Sequence, residues 1–222
     1  MFRIIAQDLG RCGENTAERL REILLNPGMW AVVGYRYRRW VYTARLPRPI
    51  RRLLNISSTI LELWLKIATH IELPATAEIG PGLYIPHTGY IIVSSRTRIG
   101  SYCTLTQGVT IGHRGGGTKA VGASPIIGDR VYVGPSAAIT GPITIGDDAL
   151  IGVGAIVIGS VPPGGVAVGN PARVTSCRGS FDLIAYPGMN ADPKRAATLA
   201  LLRPPPEPAT ERASHGLASL IV

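Results

Sequence analysis

The sequence has 222 residues, 45% of them apolar, yet only two Phe and three Trp. That is room for one domain with a thin aliphatic core, or one domain with an appendage, and too little for a broad aromatic core. The formal net charge of +9 comes without a nucleic-acid recognition motif, which argues against nucleic-acid binding. Cys12, Cys103 and Cys177 form no CxxC pair and no disulfide frame, so the expected compartment is reducing, the cytoplasm.

Met1 to Gly10 lacks the basic start and apolar run of a signal peptide. Asn15, with Glu18 three residues later, reads as a capping pair ahead of Leu20, Ile23 and Leu24. Asn26-Pro27-Gly28 marks a turn. A second helix is predicted from Met29 to Thr43, broken by Pro47 and Pro49, and a third from about Ile50 to Thr69. In the apolar stretch from Leu53 to Ile71, Glu62, Lys66 and His70 argue against a membrane span. These helices make up an N-terminal domain over residues 1–70, where twelve Lys/Arg stand against five Asp/Glu, concentrated in Arg36, Arg38, Arg39, Arg45, Arg48, Arg51 and Arg52. The surplus suits an acidic partner, an anionic membrane face or cofactor phosphates, and equally a solvated helical face.

Residues 71–175 carry the dominant signal, a six-residue beat. Ile127, Val133, Ile139, Ile145, Ile151 and Val157 recur without a slip. Gly128, Gly134, Gly146 and Gly152 follow four of them, and mostly small residues such as Ala137, Ala149 and Ala155 sit four places on. Neither the helical period nor strand alternation gives a strict six. One short strand plus one tight corner does, which predicts a parallel β-helix with the branched residues stacked inside. Glycine is expected where the backbone turns the corner. Upstream, Ile79, Ile85 and Ile91 hold one frame, and Ile99, Leu105 and Ile111 a second, shifted by two. The step from Ile111 to Ile127 exceeds two repeats by four residues. Insertions leave a solenoid as outward loops, usual places for binding, and the two breaks predict loops at Pro86–Tyr90 and His113–Pro125. Residues 176–222 form an extension with a helix over 193–202, a disordered linker from Arg203 and an aliphatic end, Leu220-Ile221-Val222, read as a docking peptide or a frayed terminus.

The ordered set of motifs resembles the serine O-acetyltransferase family of hexapeptide-repeat acyltransferases. Asp8, the run Ile23-Leu24-Leu25-Asn26-Pro27-Gly28 and Tyr35-Arg36 resemble its helical N-terminal region. Ile71-Glu72-Leu73-Pro74 and Ile79-Gly80-Pro81-Gly82 resemble its entry to the coil, and Gln107-Gly108-Val109-Thr110-Ile111-Gly112 and Val168-Gly169-Asn170-Pro171-Ala172-Arg173 its later motifs. The resemblance implies an α+β fold: an N-terminal helical domain, a left-handed parallel β-helix and a partly disordered C-terminal tail. It also implies a homotrimer, with a hexamer through the N-terminal helices as a further form, and acetyl-CoA bound between neighbouring coils without a metal. The acceptor is a small molecule with a hydroxyl group.

By the same resemblance His87 is the general base, able to take a proton near neutral pH. Pro86 stands where the family has an orienting Asp, and Glu72 where it has an Asp at the coil entrance. Ala123-Ser124 replaces an Arg-His pair that holds the amino acid, which leaves Pro86, His113, Arg114 and Ser124 as acceptor-side candidates. Thr110-Ile111-Gly112-His113-Arg114-Gly115 looks closer to colanic-acid-type exopolysaccharide acetyltransferases, so serine and a sugar hydroxyl both stand as acceptors. Gly112, Lys119 in the Gly-rich arm, Gly154, Ala155, Ala172 and Arg173 are the cofactor candidates. Two other readings of the fold are a carbonic-anhydrase-type metal site, which needs about three histidine ligands, and a catalytically silent trimeric scaffold.

Overall fold

The computed structural model describes residues 1–13, 15–113 and 124–202. Four helices open the chain: α1 (Phe2–Leu9), α2 (Thr16–Leu25), α3 (Pro27–Thr43) and α4 (Arg48–Thr69). The Asn15–Glu18 capping box forms as read, with the Glu18 N–H donating to Asn15 Oδ1 at 2.9 Å. α3 starts at Pro27, and Asn26 Oδ1 accepts from the Gly28 N–H at 2.9 Å. Proline is tolerated in a first turn, whose N–H groups have no helical partner. Pro49 accordingly lies inside the first turn of α4, which begins at Arg48. α1 was not anticipated, because Met1 supplies no side-chain cap to signal it.

The rest of the main unit is a three-faced coil of very short parallel strands. Face one stacks Ile71–Glu72, Ile91–Val93, Thr110–Gly112, Ala138–Thr140 and Ile156–Val157. Face two stacks Glu78–Ile79, Arg98–Ile99, Ile126–Ile127 and Thr144–Ile145. Face three stacks Thr104–Leu105, Tyr132–Val133, Leu150–Ile151 and Val166–Gly169, closed by the antiparallel strand Ala172–Ser176. The beat residues Ile127, Val133, Ile139, Ile145, Ile151 and Val157 are all at most 2% exposed. Pairing of Ile127 with Ile145 and of Ile139 with Val157 fixes a regular turn at eighteen residues, one hexad per face.

The register moves the first predicted loop and recounts the second, which stays between Gly112 and Ile126. Ile111 on face one is followed directly by Ile127 on face two, so the insertion is ten residues beyond one repeat, not four beyond two. The earlier phase break lies between Ile91 and Ile99, at Ser94–Thr97. Pro86–Tyr90 is an ordinary six-residue step between the core residues Ile85 and Ile91. A further two-residue excess falls between Ile71 and Ile79. Every insertion thus sits at one corner, between faces one and two, and the three stack along the coil.

Gly80 does not turn a corner, as the beat suggested, but lets two turns approach closely. A Cβ there would lie 2.7 Å from the Gly100 carbonyl carbon. The left-handed residues that bend the same corner are Gly82, Tyr102, Arg130 and Asp148.

α3 fastens the helices to the first turn. Arg36 pairs with fully buried Asp8 at 2.8 Å and donates to the Ile79 and Gly80 carbonyls, both at 2.6 Å. Asp8 also accepts from the Gly82 and Leu83 N–H groups at 2.7 and 3.0 Å. Such a buried pair is tolerable because nearly every polar atom is satisfied. Residues through Pro187 form one compact unit; the helix Pro193–Leu202 belongs to a second one.

Candidate active site

Four rungs stack on the corner between faces three and one. The Gly108 N–H donates to the Gly89 carbonyl (2.8 Å), Ser136 to Gln107 (2.9 Å) and Gly154 to Pro135 (2.8 Å). His87 is exposed on the first rung, and Gly154, at φ +63°, is exposed on the fourth. At about 4.8 Å per rung they are roughly 14 Å apart along one edge. The closing hairpin continues the line: Ala172 and Arg173 pair with Gly169 and Val168, whose neighbour Ala167 accepts from the Gly152 N–H at 2.8 Å. His87, Gly154, Ala172 and Arg173 therefore share an edge. Ala155 does not join them. Its methyl group is fully buried, and its N–H and carbonyl bond to Gly152 and Ala138, so its side chain packs in the core beside that edge.

His70 and Tyr90 also stand on this edge, and neither was read as a site residue in the sequence. Both adopt left-handed backbone, and their rings tilt against each other with centroids 5.3 Å apart. Pairing of Ile71 with Ile91 sets them one above the other. Among the described residues His87 has no hydrogen-bond partner, and Pro86 offers none where a carboxylate would orient the ring.

The opposite corner, between faces one and two, holds a groove of about 640 Å³. Glu72, Ser94, Ser95, Arg96, His113 and Ser124 line it, with Glu62 and Lys66 of α4 on its rim. Lys66 Nζ lies 3.0 Å from Glu72 Oε2, and Glu62 is held by Arg38 at 2.5 Å. Ser124 Oγ donates to the Ser95 carbonyl at 3.0 Å. Arg96 is exposed at φ +67° and has no acidic partner among the described residues. Neither Lys66 nor Arg96 was read as a site residue in the sequence, although Arg96 lies in the phase break itself. Gly112 ends its strand beside this corner in open space, where a Cβ would meet nothing within 4 Å. Arg114 and Lys119 lie outside the described residues.

Face one separates the two corners. Four steps of strand, from Tyr90 to Ser94, span roughly 13 Å. A single chain therefore brings Glu72, His113 and Ser124 together and leaves His87 on the other edge. Burial pushes the Cys103 thiol up to about 12 and Cys12 to about 11, so neither is a ready nucleophile. Among the described residues no three of His, Cys, Asp and Glu come together as a metal would need, and no helix is long and apolar enough to cross a membrane.

The chain is 35% identical to the serine acetyltransferase of Synechococcus elongatus, over 78% of this chain and 68% of that protein. It is also 35% identical to the Helicobacter pylori serine acetyltransferase, over 68% of this chain and 82% of that one. The chain belongs to the serine acetyltransferase family. Solved members share its fold: the Neisseria gonorrhoeae serine acetyltransferase in complex with serine superposes with a TM-score of 0.66 at 26% identity, covering 79% of this chain and 69% of that one. The soybean serine acetyltransferase apoenzyme gives 0.64 at 28%, covering 78% and 68%. No family model matches. As a member of the serine acetyltransferase family the chain is an acyltransferase, an O-acetyltransferase with acetyl-CoA as its co-substrate.

Proposed function

We propose that the protein transfers acetyl from acetyl-CoA to the hydroxyl of L-serine, at a site shared by two protomers of a homotrimer. The observation that carries this reading is the placement of His87 and the acidic-basic groove on opposite edges of face one. The outward ladder of that face runs Glu72, Ile92, Thr110, Ala138, Ile156, largely apolar or small, whereas face two presents Glu78, Arg98, Ile126 and Thr144. Three copies with face one towards a threefold axis bury Ile92, which is 44% exposed in one chain. The His87 edge of one protomer then meets the groove of the next, a heterologous contact that closes as a ring.

At that junction the His87 imidazole takes the proton of the acceptor hydroxyl while its oxygen attacks the thioester carbonyl. The C–O bond forms and the C–S bond breaks. The proton passes from His87 to the departing CoA sulfur, with no acyl-enzyme. Acetyl-CoA lies along the rungs from His87 to Gly154 and the Ala172–Arg173 hairpin, and Arg96 takes the acceptor carboxylate that the absent Arg-His pair leaves unheld. A sugar hydroxyl is the second reading, favoured by the Lys66–Glu72 pair: it neutralises the carboxylate that an ammonium group would seek. Beyond the trimer, the N-terminal helices are the contact surface for a larger partner, a second trimer or a membrane, and the protein works in the cytoplasm.

The test is CoA release from acetyl-CoA with L-serine and with sugars as acceptors. Serine turnover that falls about 10²–10⁴-fold in His87→Ala, the contribution of a positioned general base, with an unchanged melting temperature, is the expected result. Turnover with sugars alone selects the second reading. Full activity in His87→Ala contradicts the mechanism.

A further inference from the structure

α4 is apolar on two sides. One packs inward, with Leu65 and Thr69 buried. The other carries Leu53, Ile56, Ile60, Leu63, Trp64 and Ile67, each 53–68% exposed. Leu53, Ile56, Ile60, Leu63 and Ile67 alternate three and four residues apart, so they form one continuous stripe along the helix. Trp64 stacks on Trp30 at 6.1 Å and is held beside it. Water-facing apolar surface of this extent marks a contact site.

A second observation names the partner. At the N-terminal end of the same helix, Arg48, Arg51 and Arg52, with Pro49 and Asn55, line an open cleft of about 480 Å³. All three arginines are exposed, and among the described residues none has an acidic partner. No acid occupies the first turn, and no side chain caps it, so the helix dipole adds to their positive field. Arg45 precedes them, also exposed. The first acid along α4 is Glu62, already held by Arg38 and Lys66. A second α4 would therefore bring an equally basic helix with no free acid to complement it.

We propose that α4 docks the protein on the surface of an anionic lipid bilayer, lying in the interface without crossing it. Lipid phosphates enter the Arg48–Arg51–Arg52 cleft, the Leu53–Ile67 stripe sinks among the upper acyl carbons, and Trp64 sits at the headgroup level. Interfacial helices bind by this combination of apolar area and attraction to acidic headgroups, and the fold supplies it on a helix tied to the coil through α3. Docking of this kind is independent of which acceptor the enzyme uses.

The experiment is co-sedimentation of the full chain with vesicles of phosphatidylcholine alone and of phosphatidylcholine mixed with phosphatidylglycerol. CoA release and molecular mass by light scattering are recorded in parallel. Binding to the mixed vesicles is expected, weakened by salt. It should drop more than about tenfold in Arg51→Glu/Arg52→Glu and also in Ile56→Ser/Ile60→Ser. These residues lie outside the catalytic groove, so CoA release and mass should not change. Absence of binding to anionic vesicles overturns the proposal. So does a fall in mass in Ile56→Ser/Ile60→Ser with vesicle binding intact, which assigns the stripe to a second copy of the chain.

Discussion

Asp8 and His87 show how differently charged or ionisable residues are used in this molecule. Asp8 is fully buried, paired with Arg36 and bonded to two backbone N–H groups of the first coil turn. Its carboxylate holds α1, α3 and the coil together. Replacing it by Asn leaves the Arg36 guanidinium buried without its counter-charge, which costs about 3–5 kcal/mol. The melting temperature of Asp8→Asn should fall by roughly 10 °C or more in a thermal scan; a change within a degree or two would mean that the pair is not the fastening. His87, exposed and without a partner among the described residues, is free to meet a substrate instead. That contrast, not the residue types, separates the structural motif from the one proposed to do the chemistry.

At the scale of elements, the coil depends on close approach between successive turns. Gly80→Ala places a methyl carbon within 3 Å of the Gly100 backbone, and overpacking of this kind costs about 1–3 kcal/mol. A denaturant titration should show a lower midpoint with an unchanged slope; an unchanged midpoint would show that the turns have room to spare. The six-residue beat was legible because each hexad repeats the same physical problem: one inward aliphatic, one corner. The helices α2 to α4 were legible through Asn15, Asn26-Pro27 and the two later prolines, whereas α1 has no such punctuation. The corner of each insertion was not legible. Phase counting reports that residues are added between Ile91 and Ile99 but not on which side of a strand they leave, and only the pairing of Ile99 with Ile127 separates one repeat from two. The candidate site was half legible for the same reason. His87, Glu72, His113 and Ser124 were named from motifs, yet their division between two edges follows from the three-face register. A site role for Arg96, His70 and Tyr90 followed only from that register, and one for Lys66 only once α4 brought it onto the groove.

For the whole molecule, the proposed chemistry requires assembly. An edge bearing His87 and Gly154 and an edge bearing Glu72, Arg96 and His113 flank the same apolar face, and neither is a complete site. Ile92→Arg puts a charge at the centre of that face, so light scattering should report a monomer, and CoA release should fall to background while the fold persists by circular dichroism. A trimer of full activity would remove face one from the interface.

The most direct measurement is subunit complementation. Chains carrying His87→Ala are mixed with chains carrying Ser95→Trp, which fills the groove on the other edge, and the mixture is reassembled and assayed for CoA release. Each variant alone should be inactive. A site shared between protomers regenerates intact junctions in the mixed ring, and about a quarter of the wild-type rate should return. If the mixture stays as inactive as its components despite forming mixed trimers, each site lies within one chain and the shared-site mechanism is wrong.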